Sequence, residues 1–270
     1  MIDTHCHLDF RQYQNDREAV TNKSLQELTA IINIGSGLQA SRDAVDLAER
    51  YDRCYSTVGL HPHDTEPGLE LSQEGQLAEI RSLARSGNKV VAIGEIGLDY
   101  SSAPPEERDR GREEQKTLFI DQIRVVQKLD LPVVIHSRDS IEDCLYILKE
   151  YQVKQAVLHC FTYNKTWAQK VLDLGFYVSF TGIVTFKNAK VVHETVRYVP
   201  LEKMMLETDA PFLAPEPYRG QRCEPWMVKY VAEKVAELKG VDVREVERIT
   251  DDNAVKFFNL KTQTCPQCYA

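Results

Sequence analysis

Four histidines and two carboxylates in this 270-residue chain have the types and spacing for metal chemistry. His5 and His7 stand at i and i+2 in Ile2-Asp-Thr-His-Cys-His-Leu8. On an extended strand both imidazoles therefore point to one side and reach one cation. Glu95 lies inside Val91-Ala-Ile-Gly-Glu-Ile-Gly97. A carboxylate in an apolar, glycine-flanked run must be paired or metal-bound, so it is read either as a ligand or as half of a buried ion pair. His136 closes Leu131-Pro-Val-Val-Ile135, His159 closes Gln155-Ala-Val-Leu158, and Asp209 closes Met204-Met-Leu-Glu-Thr208. Together these side chains form a mixed nitrogen and oxygen donor set suited to two divalent cations, Mg²⁺, Mn²⁺ or Zn²⁺, that clamp the attacking and leaving oxygens of a phosphodiester. The expected arrangement has His5, His7 and Asp209 on one ion, His136 and His159 on the other, and Glu95 bridging. Asp209, beside the attacking water, is the expected general base.

Other residues border this set. His61 and His63 in Gly59-Leu-His-Pro-His63 are not needed for either coordination sphere. His63 is assigned to substrate as a donor to a phosphate oxygen, while His61 is read either as a substrate contact or as a packed residue. Arg138, Arg219 and Arg222 fall where strands give way to loops, and their planar guanidinium groups suit phosphate, although solvated surface is the plain alternative. His193 lies in a helical segment and is read as surface. Cys6 and Cys160 neighbour ligands in sequence, so strand alternation should turn them into packing. Cys265-Pro-Gln-Cys268 lacks a second Cys pair to complete a zinc site, and is read as part of a frayed tail.

The elements that must position these groups follow from the hydrophobic pattern. Short β-rich runs, such as MIDTHCHL, TAIINIG, KVVAIGEIGLDY and LPVVIHSR, alternate with longer helical stretches. Phe119, Ile123, Val126 and Leu129 form one helical stripe; Ala44, Leu47, Ala48 and Tyr51 form another, and Val228, Val231, Val235 and Leu238 a third. Strands alternating with helices predict a parallel sheet, and eight of them predict an α/β fold of the TIM-like (β/α)8 barrel type. Six strands end in a candidate ligand, the arrangement of a barrel whose C-terminal mouth holds the site. The second and seventh end in Gly35 and Gly182, read as turn glycines. One barrel domain over residues 1–260 and a tail over 261–270 are expected.

Whole-chain properties bound the function. A net charge of −8 argues against non-specific coating of nucleic acid, though not against an enzyme acting on a nucleic-acid end, where cations cancel nearby carboxylates. Seven scattered cysteines suggest no disulfide framework, and neither a signal peptide nor an apolar run of membrane length is evident, so a cytoplasmic protein without membrane association is expected. A complete ligand set on one chain makes a monomer the default.

Seven ordered stretches, Ile2–Leu8, Gly59–His63, Ile93–Tyr100, Pro132–Asp139, Leu158–Phe161, Thr185–Ala189 and Glu207–Pro211, resemble the TatD family of metal-dependent deoxyribonucleases. The likeness spans about residues 1 to 258. It implies a (β/α)8 barrel, divalent metals and hydrolysis of DNA, often from the 3′ end. It marks His5, His7, Glu95, His136, His159 and Asp209 as metal ligands and His63 as catalytically important. Cys223 departs from the pattern, which usually has Asn there. The expected function is therefore a metal-dependent phosphodiesterase, a deoxyribonuclease working 3′ to 5′ with single-stranded DNA or 3′ ends as partner. The alternative enzyme is a deacylase or amidohydrolase acting on an ester or amide such as mischarged aminoacyl-tRNA. Against amidohydrolases that bridge their metals with a modified Lys, the nearest Lys, Lys89, lies at the wrong end of the fourth run. A protein using metals only structurally is the third reading, disfavoured because structural sites are coordinatively closed.

Overall fold

The computed structural model describes residues 1–63, 71–102 and 110–261. Eight strands appear in chain order: β1 (Ile2–Cys6), β2 (Ala30–Asn33), β3 (Cys54–Val58), β4 (Val90–Asp99), β5 (Val133–Arg138), β6 (Ala156–Leu158), β7 (Tyr177–Phe180) and β8 (Met204–Leu206). Each pairs in parallel with the next, in the order β1 to β8. The seam between β8 and β1 is closed just past the strand ends, by an isolated parallel bridge between Cys6 and Ala210 and by backbone bonds from Asp209 N to His5 O (2.9 Å) and His7 N to Ala210 O (2.7 Å). Side chains reinforce it. Asp3, fully buried, accepts from Thr208 Oγ1 at 2.6 Å and Thr208 N at 2.9 Å. This is the expected α/β barrel.

Helices surround the strands: α1 (Arg17–Glu27), α2 (Leu38–Glu49), α3 (Gln73–Leu83), α4 (Arg112–Leu129), α5 (Ile141–Glu150), α6 (Lys165–Asp173), α7 (Lys190–Tyr198), α8 (Val228–Lys239) and α9 (Val243–Phe258). The three predicted stripes fall on α2, α4 and α8, with Tyr51 just past the end of α2. Their members are buried, apart from the partly buried Tyr51, Leu129 and Leu238. Strand alternation sorts the core into two layers. Ile31, Val133, Ile135, Leu158 and Met204 pack toward the helices. Their neighbours Ile32, Val134, Val157 and Met205 pack in the barrel interior with Phe257 and Phe258 from the end of α9. Burying a Phe contributes about 1.5–3 kcal/mol, so α9 is a substantial plug for the end of the barrel opposite the ligands. Asn253 of α9 fixes that plug by donating to the carbonyls of Leu201 (2.7 Å) and Met204 (2.8 Å). No helix of the described residues is long and apolar enough to cross a membrane.

Three register shifts are not visible in the sequence. Between β1 and β2 the pairing steps from Asp3↔Ile31 to Cys6↔Asn33, one residue more on β1. Between β4 and β5 it steps from Ile93↔Val133 to Ile96↔Ile135, again with one extra residue on β4. A third shift lies between β3 and β4. A bulge bends a strand and re-aims a side chain, and the first two bulges lie at His5 and Glu95. Glu95 is consequently well inside β4 rather than at its end, a correction to the strand-end reading.

Gly35 and Gly182 also differ from expectation. Neither has positive φ. What excludes a side chain is close approach: a Cβ on Gly182 would lie 2.1 Å from Leu213 O, and one on Gly35 2.6 Å from Ser41 Oγ. The tail cysteines Cys265 and Cys268 lie outside the described residues. Gly182→Ala is expected to destabilise the fold by about 1–3 kcal/mol through forced backbone displacement. Urea unfolding should show this as a lower midpoint at unchanged slope.

Candidate metal centre

The predicted ligands converge at the C-terminal mouth of the barrel. Nε2 of His5 and Nε2 of His7 lie 3.2 Å apart. Glu95 Oε2 is 3.5 and 3.7 Å from these nitrogens, and Asp209 Oδ1 is 3.6 and 3.5 Å from them. The other oxygen of Glu95, Oε1, faces His136 Nδ1 at 2.6 Å and His159 Nε2 at 2.8 Å, and those two nitrogens are 3.1 Å apart. Three groups, His5/His7/Glu95, His5/His159/Asp209 and His61/Glu95/His136, offer ligand atoms mutually within 4.8 Å.

The outward nitrogens show how the inward ones are prepared. His7 Nδ1 donates to Ile34 O (3.2 Å), leaving the Nε2 lone pair aimed at the cluster. His136 Nε2 lies 3.0 Å from Asp99 Oδ2, and His159 Nδ1 lies 3.7 Å from Glu207 Oε1. Metal-ligating histidines commonly carry such outer acceptors, which fix tautomer and ring orientation. His5 Nδ1 and His159 Nδ1 are buried with no hydrogen-bond partner among the described residues, Glu207 lying beyond hydrogen-bond range of the latter. The donor set therefore fits divalent cations.

Electrostatics point the same way. Burial alone would raise the pKa of Glu95. The charge of His159 and hydrogen bonds from His136, His159 and His5 outweigh it and hold the carboxyl well below its usual value. Burial opposes charging of His159 too, yet the Glu95 carboxylate and Glu207 push it well above the usual range. Burial likewise works against ionised Asp209, but the hydrogen bond to His7 and the charges of His5 and His159 lower its pKa. Protons on these imidazoles stand where cationic charge belongs, and metal entry releases them.

The bordering residues divide. His61 Nδ1 accepts from His63 N (3.2 Å), so its neutral ring carries the proton on Nε2, 3.8 Å from Glu95 Oε1. Burial and then His136 lower its pKa to about 3, keeping it neutral. His61, left open by the sequence, thus presents a donor to the cavity. His63 also lines the cavity but is almost wholly buried, with Nε2 3.8 Å from Asp99 Oδ1. Arg138 lines the cavity and has no ion pair among the described residues. Arg222 does not line it. Its guanidinium binds both oxygens of Asp16 (2.8 and 2.7 Å), meets Glu224 and lies over the Tyr13 ring, so the phosphate role expected for it is corrected to loop anchoring. Arg219 is half exposed, with its guanidinium over Phe186 rather than in the cavity. Cys6 packs in the core as expected, but Cys160 lies beyond β6 at φ 46° and lines the cavity. His193 is half-buried and bonded to Val184 O (2.8 Å) instead of lying free on the surface. Lys89 Nζ binds the carbonyls of Tyr51 and Cys54 (2.9 and 3.3 Å), far from the ligands in the strand register.

Several positioning residues went unread in the sequence. Asp99 stands four residues after Glu95 on β4, a same-face spacing that could have found it. Two buried glutamines of α4 grip the backbone of the mouth. Gln115 bonds N and O of Asp99 (2.9 and 2.7 Å), and Gln122 bonds N and O of Leu60 (2.8 and 2.9 Å), next to His61. Glu207 accepts from Cys160 N and Ser179 Oγ, both at 2.6 Å. No short motif announces the two glutamines.

A family model described as TatD related DNase matches residues 2–259. The "Uncharacterized metal-dependent hydrolase YabD" of Bacillus subtilis is 40% identical over 265 residues, covering 96% of this chain and 99% of that one. A Citrobacter koseri protein named "3'-5' ssDNA/RNA exonuclease TatD" is 32% identical over 270 residues, covering 96% of this chain and 99% of its own. Among solved structures, YJJV, a TatD homologue of Escherichia coli K12, aligns with TM-score 0.86 at 30% identity, over 96% of this chain and 98% of that one.

Asp99→Asn is expected to weaken Zn²⁺ or Mn²⁺ binding about 10- to 100-fold, as loss of a partner that orients a ligand does. Titration calorimetry on metal-stripped protein measures this. Unchanged affinity would remove Asp99 from the support of His136.

Proposed function

Because this chain belongs to the TatD related DNase family, we propose that its site hydrolyses phosphodiester bonds of nucleic acid, as a deoxyribonuclease releasing nucleotides from the 3′ end of a single strand. The chain is a metal-dependent hydrolase of that family. The observation that carries the finer reading is the division of Glu95. One oxygen faces His5 and His7, the other His136 and His159, so two cation sites meet in a single carboxylate. Paired cations suit in-line displacement at phosphorus.

In this reading His5, His7 and Asp209 hold one divalent cation, His136 and His159 the other, and Glu95 both. When bound, the pair supplies Lewis-acid polarisation of the phosphoryl oxygens and a nucleophile at neutral pH. Asp209 reaches the cavity from the closing seam and takes the proton of the attacking water. Its neighbours Thr208 and Ala210 are fixed by bonds across that seam, which holds the carboxylate in place. His61 and His63 donate to phosphate oxygens from the floor, and Arg138 does so from the rim, with a guanidinium suited to two oxygens at once. The ligands all belong to one chain, so the site is complete in a monomer.

Release of nucleotides from a 3′-labelled single-stranded DNA by metal-stripped protein tests the proposal, with Mg²⁺, Mn²⁺ or Zn²⁺ restored. Release is expected only with metal. Asp209→Asn should lower kcat by at least about 100-fold, the low end for a general acid–base residue. Glu95→Ala should lose both activity and metal. Absence of release with every metal would remove DNA as substrate, and an ester of aminoacyl-tRNA would then be the group to try.

A further inference from the structure

The cavity above the metal centre has a volume of 880 Å³ and two unlike walls. Ser101, Ser102, Ser137 and Arg138 give one wall hydroxyls and a cation. The wall beside His7 and Asp209 is hydrocarbon: Phe10, Ile183, Phe212 and Leu213. Phe10 lies nearly parallel to the His7 ring, with centroids 4.6 Å apart and planes at 24°. Phe212 meets Phe10 edge to face at 6.0 Å, and its backbone N–H is held by Asp209 O at 2.9 Å. The two phenylalanines thus stand three residues after a candidate ligand each, on the two strand-end segments that close the barrel.

Phe212 is 46% exposed, and among the described residues it is the only large exposed hydrophobic side chain that lines the cavity. Packing does not account for it, because a Phe that stabilised the fold would be covered. An apolar ring left open beside an anion-handling centre suits a ligand that is flat and apolar at one end and anionic at the other. A nucleotide has that form. Resting on the nuclease reading above, we infer that Phe212, backed by Phe10, is the stacking platform for the nucleobase at the 3′ end of the strand. Among the described residues these four side chains offer no donor or acceptor to read base edges, so the platform accepts all four bases, as stacking on aromatic rings does. A terminal base that lies on this ring inside the cavity while its phosphate reaches the candidate ligands suits a single-stranded or frayed end.

Two oligonucleotides of one sequence test this, one ending in an ordinary 3′ nucleotide and the other in a tetrahydrofuran abasic residue. With metal-loaded wild-type protein, kcat/KM should favour the base-bearing end on the order of tenfold, mainly through KM. Phe212→Ala should bring that ratio toward one, and Phe212→Trp should preserve it. A Phe212→Ala variant that slows both substrates equally, leaving the ratio unchanged, overturns the platform. Calorimetry with thymidine 5′-monophosphate and deoxyribose 5-phosphate, with and without metal, reads the same preference without cleavage. Tighter binding of thymidine monophosphate that Phe212→Ala abolishes upholds the platform even if no DNA is cut, in which case only the nuclease reading falls. Equal binding of the two ligands by wild-type protein overturns the platform.

Discussion

A carboxylate buried among five imidazoles sets the terms for the rest of this molecule. Glu95 is 4% exposed, and taking an ionised carboxylate out of water costs several kcal/mol unless positive charge meets it. Among the described residues no Lys or Arg does so. The groups within reach are His5 and His7 on one oxygen and His136, His159 and His61 on the other. Neutral imidazoles turn lone pairs toward a carboxylate, which repels them; only protons or cations between them make the cluster attractive. A cluster of such atoms suits bound metal, and the outer acceptors Ile34 O and Asp99 orient two of the rings.

Gathering groups from β1, β4, β5, β6 and the segment after β8 requires a closed barrel, and the closing bonds also aim the ligands. Asp3 joins β1 to Thr208, while His5 O receives the N–H of Asp209. Asp209 has φ 60°, and Cys160 beside His159 has φ 46°. Non-glycine residues in this region cost about 1 kcal/mol or more. Each is held by a backbone N–H bond, Asp209 to His5 O and Cys160 to Glu207, so stability elsewhere offsets local strain at the mouth. The bulges at His5 and Glu95 serve the same end, turning side chains that a regular strand would send elsewhere.

Charge competition within the chain decides which polar groups remain for substrate. Three arginines were equally plausible by position. Arg222 is neutralised by Asp16 and Glu224, and Arg219 lies over Phe186, which leaves Arg138 on the cavity wall. The chain is net negative, so an anion entering the cavity would depend on this local positive charge and on any bound metal rather than on a long-range field.

The sequence by itself determined the barrel, its eight strands and three helical stripes, because periods of 2 and 3.6 are written directly into the order of apolar residues. It also gave the six candidate ligands, since His and carboxylates at the ends of apolar runs are costly anywhere but a site. Only the tertiary structure decided the rest. Whether His61 or His63 stands nearer Glu95 depends on a hydrogen bond between His63 N and the His61 ring, and the loss of Arg222 to Asp16 joins residues 206 positions apart. Asp99, Glu207, Gln115, Gln122 and Phe212 acquire their roles from strand bulges and from contacts across the barrel mouth. Spacing from Glu95 points to Asp99, but the residue types of the others are common on any surface, and their roles are not set by neighbours in the chain. They are set by burial and by partners distant in sequence, which exist only once the barrel has closed.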